Sequence, residues 1–360
     1  MKRFPFVIFL ATPLFCFCAH SNSVGNIPVE EIDFSSFIEQ PFSSFLSNHQ
    51  DNLSSLRLDS SPQYRLDMVD RAHFSDTEIL LRDARMRKLV VISKMDGRVL
   101  SMVGHYGRAR NEFLQISGFD RDDDNNIWIL DARSKRILLF DGSTYEFVSS
   151  LTLDDNPVDV RCLSDDSFLF YLYPLGSRRA YQLCRLSNQK EKATYLPMGK
   201  NRDPNSIFST QSFSPANDDD FYSCDIFIDD YVTLLDKSGQ LLKQYKLDFG
   251  KYRIPDDIRS SVSKHAKELT RYRSACAPFF ITPNWIGGRL FNKTAMSYFI
   301  CNRDEKIMYI PDSDYEQMSL IHCDNHSMSF FLNTEIDNAI IKAICPDIQN
   351  TDYILTINLD

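Results

Sequence analysis

The chain has 360 residues, of which 43% are hydrophobic and 12% aromatic, which is enough for a large core and excludes wholesale disorder. Its formal net charge of −9, with lysines and arginines scattered singly, argues against a nucleic-acid partner, because phosphate binding needs a clustered basic surface. The length exceeds that of a usual single domain unless the fold is a barrel or an array of repeats.

The N-terminus has the pattern of an export signal. Lys2 and Arg3 form a basic region, and the apolar segment 7–17 that follows is too short to span a bilayer. A small residue at Ala19 suits cleavage by a signal peptidase. Residues 1–21 are therefore predicted to be a signal peptide or a lipoprotein signal.

A lipoprotein signal would carry its lipid on Cys18 or Cys16. Phe17 and Phe15 precede these cysteines at the position where such signals have a small residue, so a cleaved soluble form remains the alternative. In either form the protein is predicted to be exported, as a periplasmic protein or as an outer-membrane lipoprotein. Contact with the membrane is expected only through a possible N-terminal lipid anchor.

Short apolar strands recur along the chain, each followed by a polar turn and a second apolar strand. The polar residues that close the first strand of each pair lie at positions 93, 141, 187, 236, 302 and 358, so the intervals are 48, 46, 49, 66 and 56 residues. A period of about 40–50 residues made of short strands is typical of a β-propeller. We therefore predict an all-β, six-bladed β-propeller over residues 49–360.

The ends of this repeat array predict how the ring closes. The last repeat lacks its second strand after residue 358, while the strand at 53–58 stands alone near the N-terminus. A closed ring has to cover its last sheet edge, so the segment 53–58 is expected to pair with 353–358. Residues 22–48, which are polar with isolated phenylalanines, are predicted to be a tether.

The longest interval contains a candidate helix at about 256–271. Asp256 and Asp257 would occupy its first turn, where they complement the helix dipole. Apolar residues recur at helical spacing, at Ile258, Val262, Ala266 and Leu269. We predict an amphipathic helix inserted between two blades, which either packs on one propeller face or covers the mouth of the central channel.

Two phrases resemble a known family. Residues 107–113 read GRARNEF and precede two strands that end in WILD and LFD, as in NHL-type repeats. More closely, this phrase is similar to the Gly-x-Gly-Pro-Gly-Glu-Phe/Tyr phrase of exported six-bladed β-propeller proteins and lipoproteins abundant in Bacteroidetes, although Ala109, Arg110 and Asn111 replace Gly, Pro and Gly. Residues 245–255, YKLDFGKYRIP, are similar to a second phrase of that family.

The resemblance covers the chain from about residue 52 to its C-terminus. It implies an exported or lipid-anchored protein with a binding role, often connected with glycan uptake, and it names no catalytic residue that can be carried over. The implied partner is a glycan, a peptide or another envelope protein.

An acidic segment superficially matches a calcium-binding loop, with alternating Asp120, Asp122, Asp124 and Asn126 and with Asp131 at the twelfth position. The glycine at the sixth position is absent, and residues 128–130 are needed as a strand. A polar hairpin turn is the better interpretation, and the same holds for residues 217–220.

Histidines provide the other candidate ligands. His322 and His326 lie four residues apart, as in zinc-binding helices, but no glutamate lies between them and their neighbours are typical of a strand and a turn. No metal site is predicted there. His73, His105 and His265 are isolated and are expected to be surface or structural residues.

No nucleophile elbow, phosphate-binding glycine loop or dinucleotide fingerprint is present in the sequence. We therefore predict no catalytic residue, cofactor or metal, and favour a binding or scaffolding module at the cell envelope. The alternative is a metal-dependent hydrolase or lyase whose ligands meet in the central channel. A third hypothesis, a structural subunit of an envelope complex, predicts an exposed apolar patch.

Overall fold

The structure, a computed structural model, describes residues 27–359 except for 60, 155–156, 165, 173–182, 188–190, 195–210, 225–229, 293–294, 314, 334–338 and 349. Within these ranges the chain forms 28 strands and three short α-helices, so the protein is all-β. The helices are α1 (Phe42–Asn48), α2 (Asp256–Arg259) and α3 (Ala339–Ile344).

The strands follow one another in chain order with short connections. The first fourteen are β1 (Val29–Asp33), β2 (Ile38–Pro41), β3 (Leu53–Arg57), β4 (Val69–Phe74), β5 (Glu78–Asp83), β6 (Lys88–Ser93), β7 (Val99–Met102), β8 (His105–Tyr106), β9 (Glu112–Phe113), β10 (Gly118–Arg121), β11 (Ile127–Asp131), β12 (Arg136–Phe140), β13 (Phe147–Thr152) and β14 (Pro157–Cys162). The others are β15 (Phe168–Leu172), β16 (Leu183–Ser187), β17 (Glu191–Thr194), β18 (Phe213–Pro215), β19 (Asp220–Ser223), β20 (Tyr231–Asp236), β21 (Leu241–Asp248), β22 (Arg273–Ile281), β23 (Trp285–Asn292), β24 (Ala295–Asn302), β25 (Ile307–Ile310), β26 (Ser319–Cys323), β27 (Ser327–Leu332) and β28 (Tyr353–Asn358).

These strands form a β-propeller. In the described residues, four sheets have four strands and two have five, and a separate pair is formed by β8 and β9. Each larger sheet is built from consecutive antiparallel hairpins, in the orders β4–β7, β10–β13, β14–β17, β18–β21, β22–β25 and β26–β28 with β3. The first strand of each sheet contacts that of the next from β10 through β14, β18, β22 and β26 to β4, so these inner strands surround a central channel.

The recurring apolar phrases of the sequence are the third strands of these sheets. Ser93, Asp236 and Asn302 each end such a strand, as the repeat predicts. The phrases are apolar on both sides because both faces of each sheet are covered by a neighbouring sheet. Leu80 and Val91 on one sheet, for example, share a buried cluster with strands of the next.

The predicted closure between the two ends of the propeller is confirmed. Strand β3 pairs antiparallel with β28, with Leu53 opposite Ile357 and Arg57 opposite Tyr353. The backbone N–H of Leu58 extends this pairing by donating to the carbonyl of Asp352. The outermost strand of the last sheet therefore comes from the N-terminal part of the chain.

The prediction that residues 22–48 are a tether is wrong for the described part, which begins at residue 27. Strand β1 pairs in parallel with β21, and β2 pairs in parallel with β25, so this segment adds a fifth strand to two adjacent sheets. Its isolated aromatic residues are anchors, because Phe42 and Phe45 are buried in the largest core cluster. Residues 1–21, with Cys16 and Cys18, lie outside the described residues.

The predicted helix at 256–271 is also wrong in its extent. Only α2 is an α-helix; turns follow it, and Glu268–Arg271 is a 3-10 helix. The hydroxyls of Ser260 and Ser261 donate to the carbonyl of Asp257. Such side-chain hydrogen bonds compete with the backbone hydrogen bonds of a helix and weaken helices that are rich in serine. Ile258 and Leu269 are buried beside Cys276 of β22, as expected, whereas Ala266 is exposed.

The buried position of Phe42 generates a prediction. Its ring lies 5.0 Å from that of Tyr298 and 5.7 Å from that of Tyr315, measured between ring centroids. Phe42→Ala should lower the free energy of unfolding by about 3–5 kcal/mol, because it leaves a cavity in the core. Urea denaturation monitored by fluorescence measures this change.

The matched control is Ile38→Ala, since the Ile38 side chain is 66% exposed on the neighbouring strand β2. Its effect should be within about 0.5 kcal/mol. Equal, negligible effects of the two variants would show that this segment does not belong to the folded core.

Candidate functional site

A buried ion pair lies between the inner strands and borders the candidate site. Nη1 of Arg71, on β4, donates to Oδ1 of Asp159, on β14, at 2.5 Å, and both side chains are almost completely buried. The second Arg71 nitrogen, Nη2, donates to the carbonyl of Phe119 on β10 at 3.2 Å. One arginine thus joins the inner strands of three consecutive sheets.

The carboxylate of Asp159 is enclosed by further donors. Its Oδ2 accepts hydrogen bonds from the backbone N–H groups of Ser212 and Phe213, at 2.8 and 3.1 Å, at the start of β18. Gly118 on β10 permits this approach, because a Cβ there would lie 2.5 Å from Oδ1 of Asp159. The charge is therefore compensated on every side, as a buried carboxylate requires.

Nearer the open end of the channel, Asp120 forms a second cluster. Its Oδ1 lies 3.1 Å from Nδ1 of His73 and accepts a hydrogen bond from Nη1 of Arg161 at 3.0 Å. Its Oδ2 accepts the backbone N–H of Cys162 at 2.8 Å. Asp120 is buried, whereas 24% of the His73 side chain and 21% of the Arg161 side chain remain exposed at the channel.

These contacts determine the charge states in the cluster. Burial by itself would raise the pKa of Asp120, but the Arg161 guanidinium and the hydrogen bond to His73 outweigh it and hold that pKa at about 2. Burial lowers the pKa of His73, and the hydrogen bond to Asp120 opposes this effect only in part. Asp120 is thus ionised and His73 neutral at neutral pH, with Arg161 as the cation that faces the channel.

A third polar group comes from β26. Nε2 of His322 lies 3.2 Å from Oδ2 of Asp324, and the His322 ring lies 4.5 Å from that of Phe74, measured between centroids. Oδ1 of Asp324 accepts the backbone N–H groups of His326 and Ser327. Burial would raise the pKa of Asp324, but the hydrogen bond to His322 and these backbone donors hold it at about 2.

These groups surround one cavity of about 240 Å³ at the end of the channel. We call it the mouth site. Its polar lining consists of Arg71, His73, Asp120, Arg161, Gln211, Asn217, Asp218, His322, Asp324 and His326, and Phe74, Phe119 and Phe213 supply aromatic surface. The inner strands of five sheets contribute to it, so residues far apart in the sequence meet at one place.

The structure brings together several residues that the sequence marks separately. His73, Asp120, His322 and His326 all line the mouth site, whereas His105 is exposed on β8 and His265 lies 2.6 Å from Glu268. The interpretation as a hairpin turn is confirmed for residues 122–126, which join β10 to β11, whereas Asp120 is a buried residue of β10; Asp122 accepts Nε1–H of Trp128 at 2.8 Å. Asp131 instead accepts the backbone N–H of Leu114 at 2.8 Å, so it takes no part in a common loop.

Arg71 and Arg161 belong to the site, although no motif in the sequence marks them. Both lie on the first strands of their sheets. Several first strands carry one polar residue that lines the mouth site, namely His73, Asp120, Arg161 and His322. An alignment of the repeats on their first strands would reveal this polar position. No group of three or more His, Cys, Asp or Glu side chains that could hold a metal ion is found in the described part of the chain.

The model of a family described as a domain of unknown function, DUF4934, matches residues 29–350. The chain belongs to the DUF4934 family. The matched region starts at β1, in agreement with the inclusion of the N-terminal segment in the fold of this DUF4934 protein. A comparison with curated proteins finds no match.

Two solved structures show the same fold. A presumed exported protein from Bacteroides fragilis aligns with a TM-score of 0.70 at 13% identity, over 92% of this chain and 98% of that one. A member of the DUF4221 family from Bacteroides vulgatus aligns with a TM-score of 0.52 at 9% identity, over 85% and 96% of the two chains. Among the described residues of the DUF4934 protein, no helix has the length and apolar character needed to cross a membrane.

The ion pair in the channel generates a second prediction. Arg71→Met should lower the free energy of unfolding by about 3–5 kcal/mol, because it leaves the buried Asp159 carboxylate without its cation. Arg85→Met is the control, since Arg85 forms an exposed pair with Asp67 that is worth about 0–1 kcal/mol. Urea denaturation at neutral pH measures both, and a cost for Arg71→Met no larger than that of the control would contradict the role of the pair.

A third prediction concerns acid. Because the pKa of Asp120 is about 2 in the folded protein and 3.8 ordinarily, its carboxylate stabilises the fold above about pH 4, by about 2 kcal/mol, and this contribution is lost as the pH falls toward 2. His73 also makes the fold less stable in acid. Its pKa is lowered in the folded protein, so the unfolded chain binds a proton at His73 first as the pH falls below about 6.5, and this favours unfolding.

Unfolding of the wild type and of Asp120→Asn, followed from pH 2 to pH 8, tests this dependence. The variant should be less stable at neutral pH, and the difference should shrink below about pH 4. Asp218→Asn, at the exposed turn of the same mouth, serves as the control. A difference between wild type and Asp120→Asn that stays constant down to pH 2 would contradict the assignment.

Proposed function

We propose that this DUF4934 protein is an exported binding module whose ligand occupies the mouth site. The observation that carries the proposal is the convergence of Arg161, His73 and His322 from three separate inner strands on one open, mixed polar and aromatic cavity. A few convergent polar groups beside aromatic surface are typical of small-molecule sites. The ligand class is a glycan, a peptide or a segment of an envelope protein.

We further infer that the six larger sheets are six blades around one axis. The contacts between successive inner strands and the pairing of β3 with β28 support this arrangement. In such a ring the mouth site would lie at one end of the central channel, where the first strands of five blades line it.

The proposed location is the cell envelope. The basic and apolar pattern of residues 1–21 and the similarity to a presumed exported protein from Bacteroides fragilis support export. Cys18 or Cys16 would carry a lipid if the protein is an outer-membrane lipoprotein, and the soluble alternative is a periplasmic protein. Intact-mass analysis of the protein from membranes of the native host distinguishes the two forms.

The alternative of a metal-dependent hydrolase or lyase has less support. Such an enzyme would need several donors around one cation, and the described residues contain no group of three. The carboxylates of Asp120 and Asp324 at the mouth are instead occupied by arginine, histidine and backbone donors.

Ligand binding tests the proposed function. The full mature chain is titrated by calorimetry with neutral oligosaccharides, uronic-acid oligosaccharides and short peptides. Arg161→Met should weaken binding of the recognised class at least tenfold, because it removes the cation that faces the cavity. Arg85→Met, far from the mouth, should bind as the wild type does, and equal affinities for both variants would contradict the mouth as the site.

A further inference from the structure

We propose that the mouth site continues into a groove that binds an extended, uncharged oligosaccharide. This inference rests on the proposed function and specifies its ligand class. The groove lies between the sheet β26–β28 with β3 and the sheet β4–β7, and we call it the seam groove. It has a volume of about 490 Å³ and shares Phe74, His322, Asp324 and His326 with the mouth site.

A row of hydroxyl side chains forms one wall of the seam groove. His322 on β26 lies opposite Ser329 on β27, Ser329 lies opposite Thr356 on β28, and Thr356 lies opposite Ser54 on β3. Directly opposed residues in an antiparallel sheet share a face, so these side chains form one row from the channel to the outer edge. With strands about 4.8 Å apart, the row is about 14 Å long.

A second polar row lies beside the first. Ser327 is opposite Asn358 in the same sheet, two positions along each strand and therefore on the same face. Asn358 and Asn52 each donate a side-chain N–H to the other's carbonyl, which holds the outer end of this row together. Between the His322–Asp324 pair and the sheet edge, the polar side chains of this wall are thus uncharged, and the apolar Leu56 and Ile354 lie beside them.

The corresponding rows of three other sheets are different. In each of these sheets, one residue of the first strand lines the mouth site. The residue opposite it on the second strand is apolar and packs against the next sheet. The pairs are His73 with Leu80, Asp120 with Trp128, and Arg161 with Leu169. On the third strands this place is taken by Val91, Leu139 and Arg185, and at the seam by Thr356. The second strands of these three sheets therefore lack the hydroxyl that Ser329 supplies at the seam, so the propeller fold does not require a polar residue there.

The opposite wall is mainly apolar and carries one cation, Lys94, whose ammonium donates a hydrogen bond to the carbonyl of Ser75 at 3.2 Å. Phe74 and Ile79 of the first sheet line the groove, and Met95, of which 87% is exposed, lies at its outer part. The exposed methionine and the accessible phenylalanine make contact with water unfavourable on their side of the groove. The hydroxyl wall, in contrast, forms favourable hydrogen bonds with water. A ligand with both apolar ring faces and hydroxyl edges matches both walls.

Hydroxyl chemistry identifies the ligand class. Each Ser or Thr hydroxyl has one donor and two acceptor sites, so the Ser329–Thr356 hydrogen bond of 2.9 Å leaves capacity on Thr356, which is partly exposed, whereas Ser329 is only 1% exposed and supports Thr356. Sugar hydroxyls likewise donate and accept, and sugar C–H faces suit Phe74 and Met95. A peptide in extended form would instead seek unpaired backbone groups at a sheet edge, whereas the seam groove offers the face of a sheet.

Calorimetric titration with linear neutral oligosaccharides of one to six units, built from glucose, mannose, xylose or galactose, tests the proposal. Affinity for the recognised sugar should rise with length and level off once the row is filled. Thr356→Val, which keeps the shape but removes a hydroxyl, should weaken binding of the longer oligosaccharides about three- to tenfold. Ser54→Tyr, which fills the outer groove, should weaken it by more than tenfold, and both should leave monosaccharide binding unchanged.

Thr152→Val, at an exposed position of β13 away from the groove, is the matched control and should change no affinity. Thermal denaturation confirms that each variant is folded, and Thr356→Val alone decides the matter if Ser54→Tyr does not fold. Affinity that does not depend on length, or that is insensitive to Thr356→Val, would overturn the seam groove while the mouth site stands. Binding restricted to peptides or uronic-acid chains would overturn the ligand class, and binding of no probe of any class would overturn the proposed function as well.

Discussion

The buried pair of Arg71 and Asp159 is the interaction on which the centre of the molecule depends. A propeller holds its sheets together mainly by apolar contacts between their faces, but the inner strands leave a channel that apolar side chains do not fill. One arginine and one carboxylate, each compensated by backbone groups of further sheets, join four inner strands at this point. Because a charge without its partner is costly inside a protein, the pair also restricts how the sheets can be arranged.

The polar groups above this pair follow from the same geometry. First strands of a propeller converge, so one polar residue per repeat is enough to build a site with several kinds of hydrogen-bonding group. Asp120 and Asp324 serve as fixed, ionised acceptors that orient His73, Arg161 and His322. The aspartates are saturated with donors, and the histidines and arginine present the remaining chemistry to the channel.

The junction between the last and the first sheet differs from the other junctions in connectivity, and it carries hydroxyl groups on its second and third strands. It is where β3 completes the last sheet, and it is where Ser329 and Thr356 take the places that Leu80 and Val91 occupy on the first sheet. The N-terminal segment before β3 reinforces two other sheets at their outer edges, through β1 and β2. Glu39 of β2 forms a bidentate ion pair with Arg273 of β22, and this ion pair links the N-terminal segment to β22.

The sequence alone determined the all-β propeller arrangement, the hairpin positions and the closure of the last sheet, because the alternation of short apolar strands and polar turns is a local pattern that repeats along the chain. It did not reveal that residues 29–48 are part of the fold, because outer strands bury few side chains and look polar. The mouth site was decided only by the tertiary structure, since His73, Asp120, Arg161 and His322 belong to four different sheets and meet only when the sheets surround one channel.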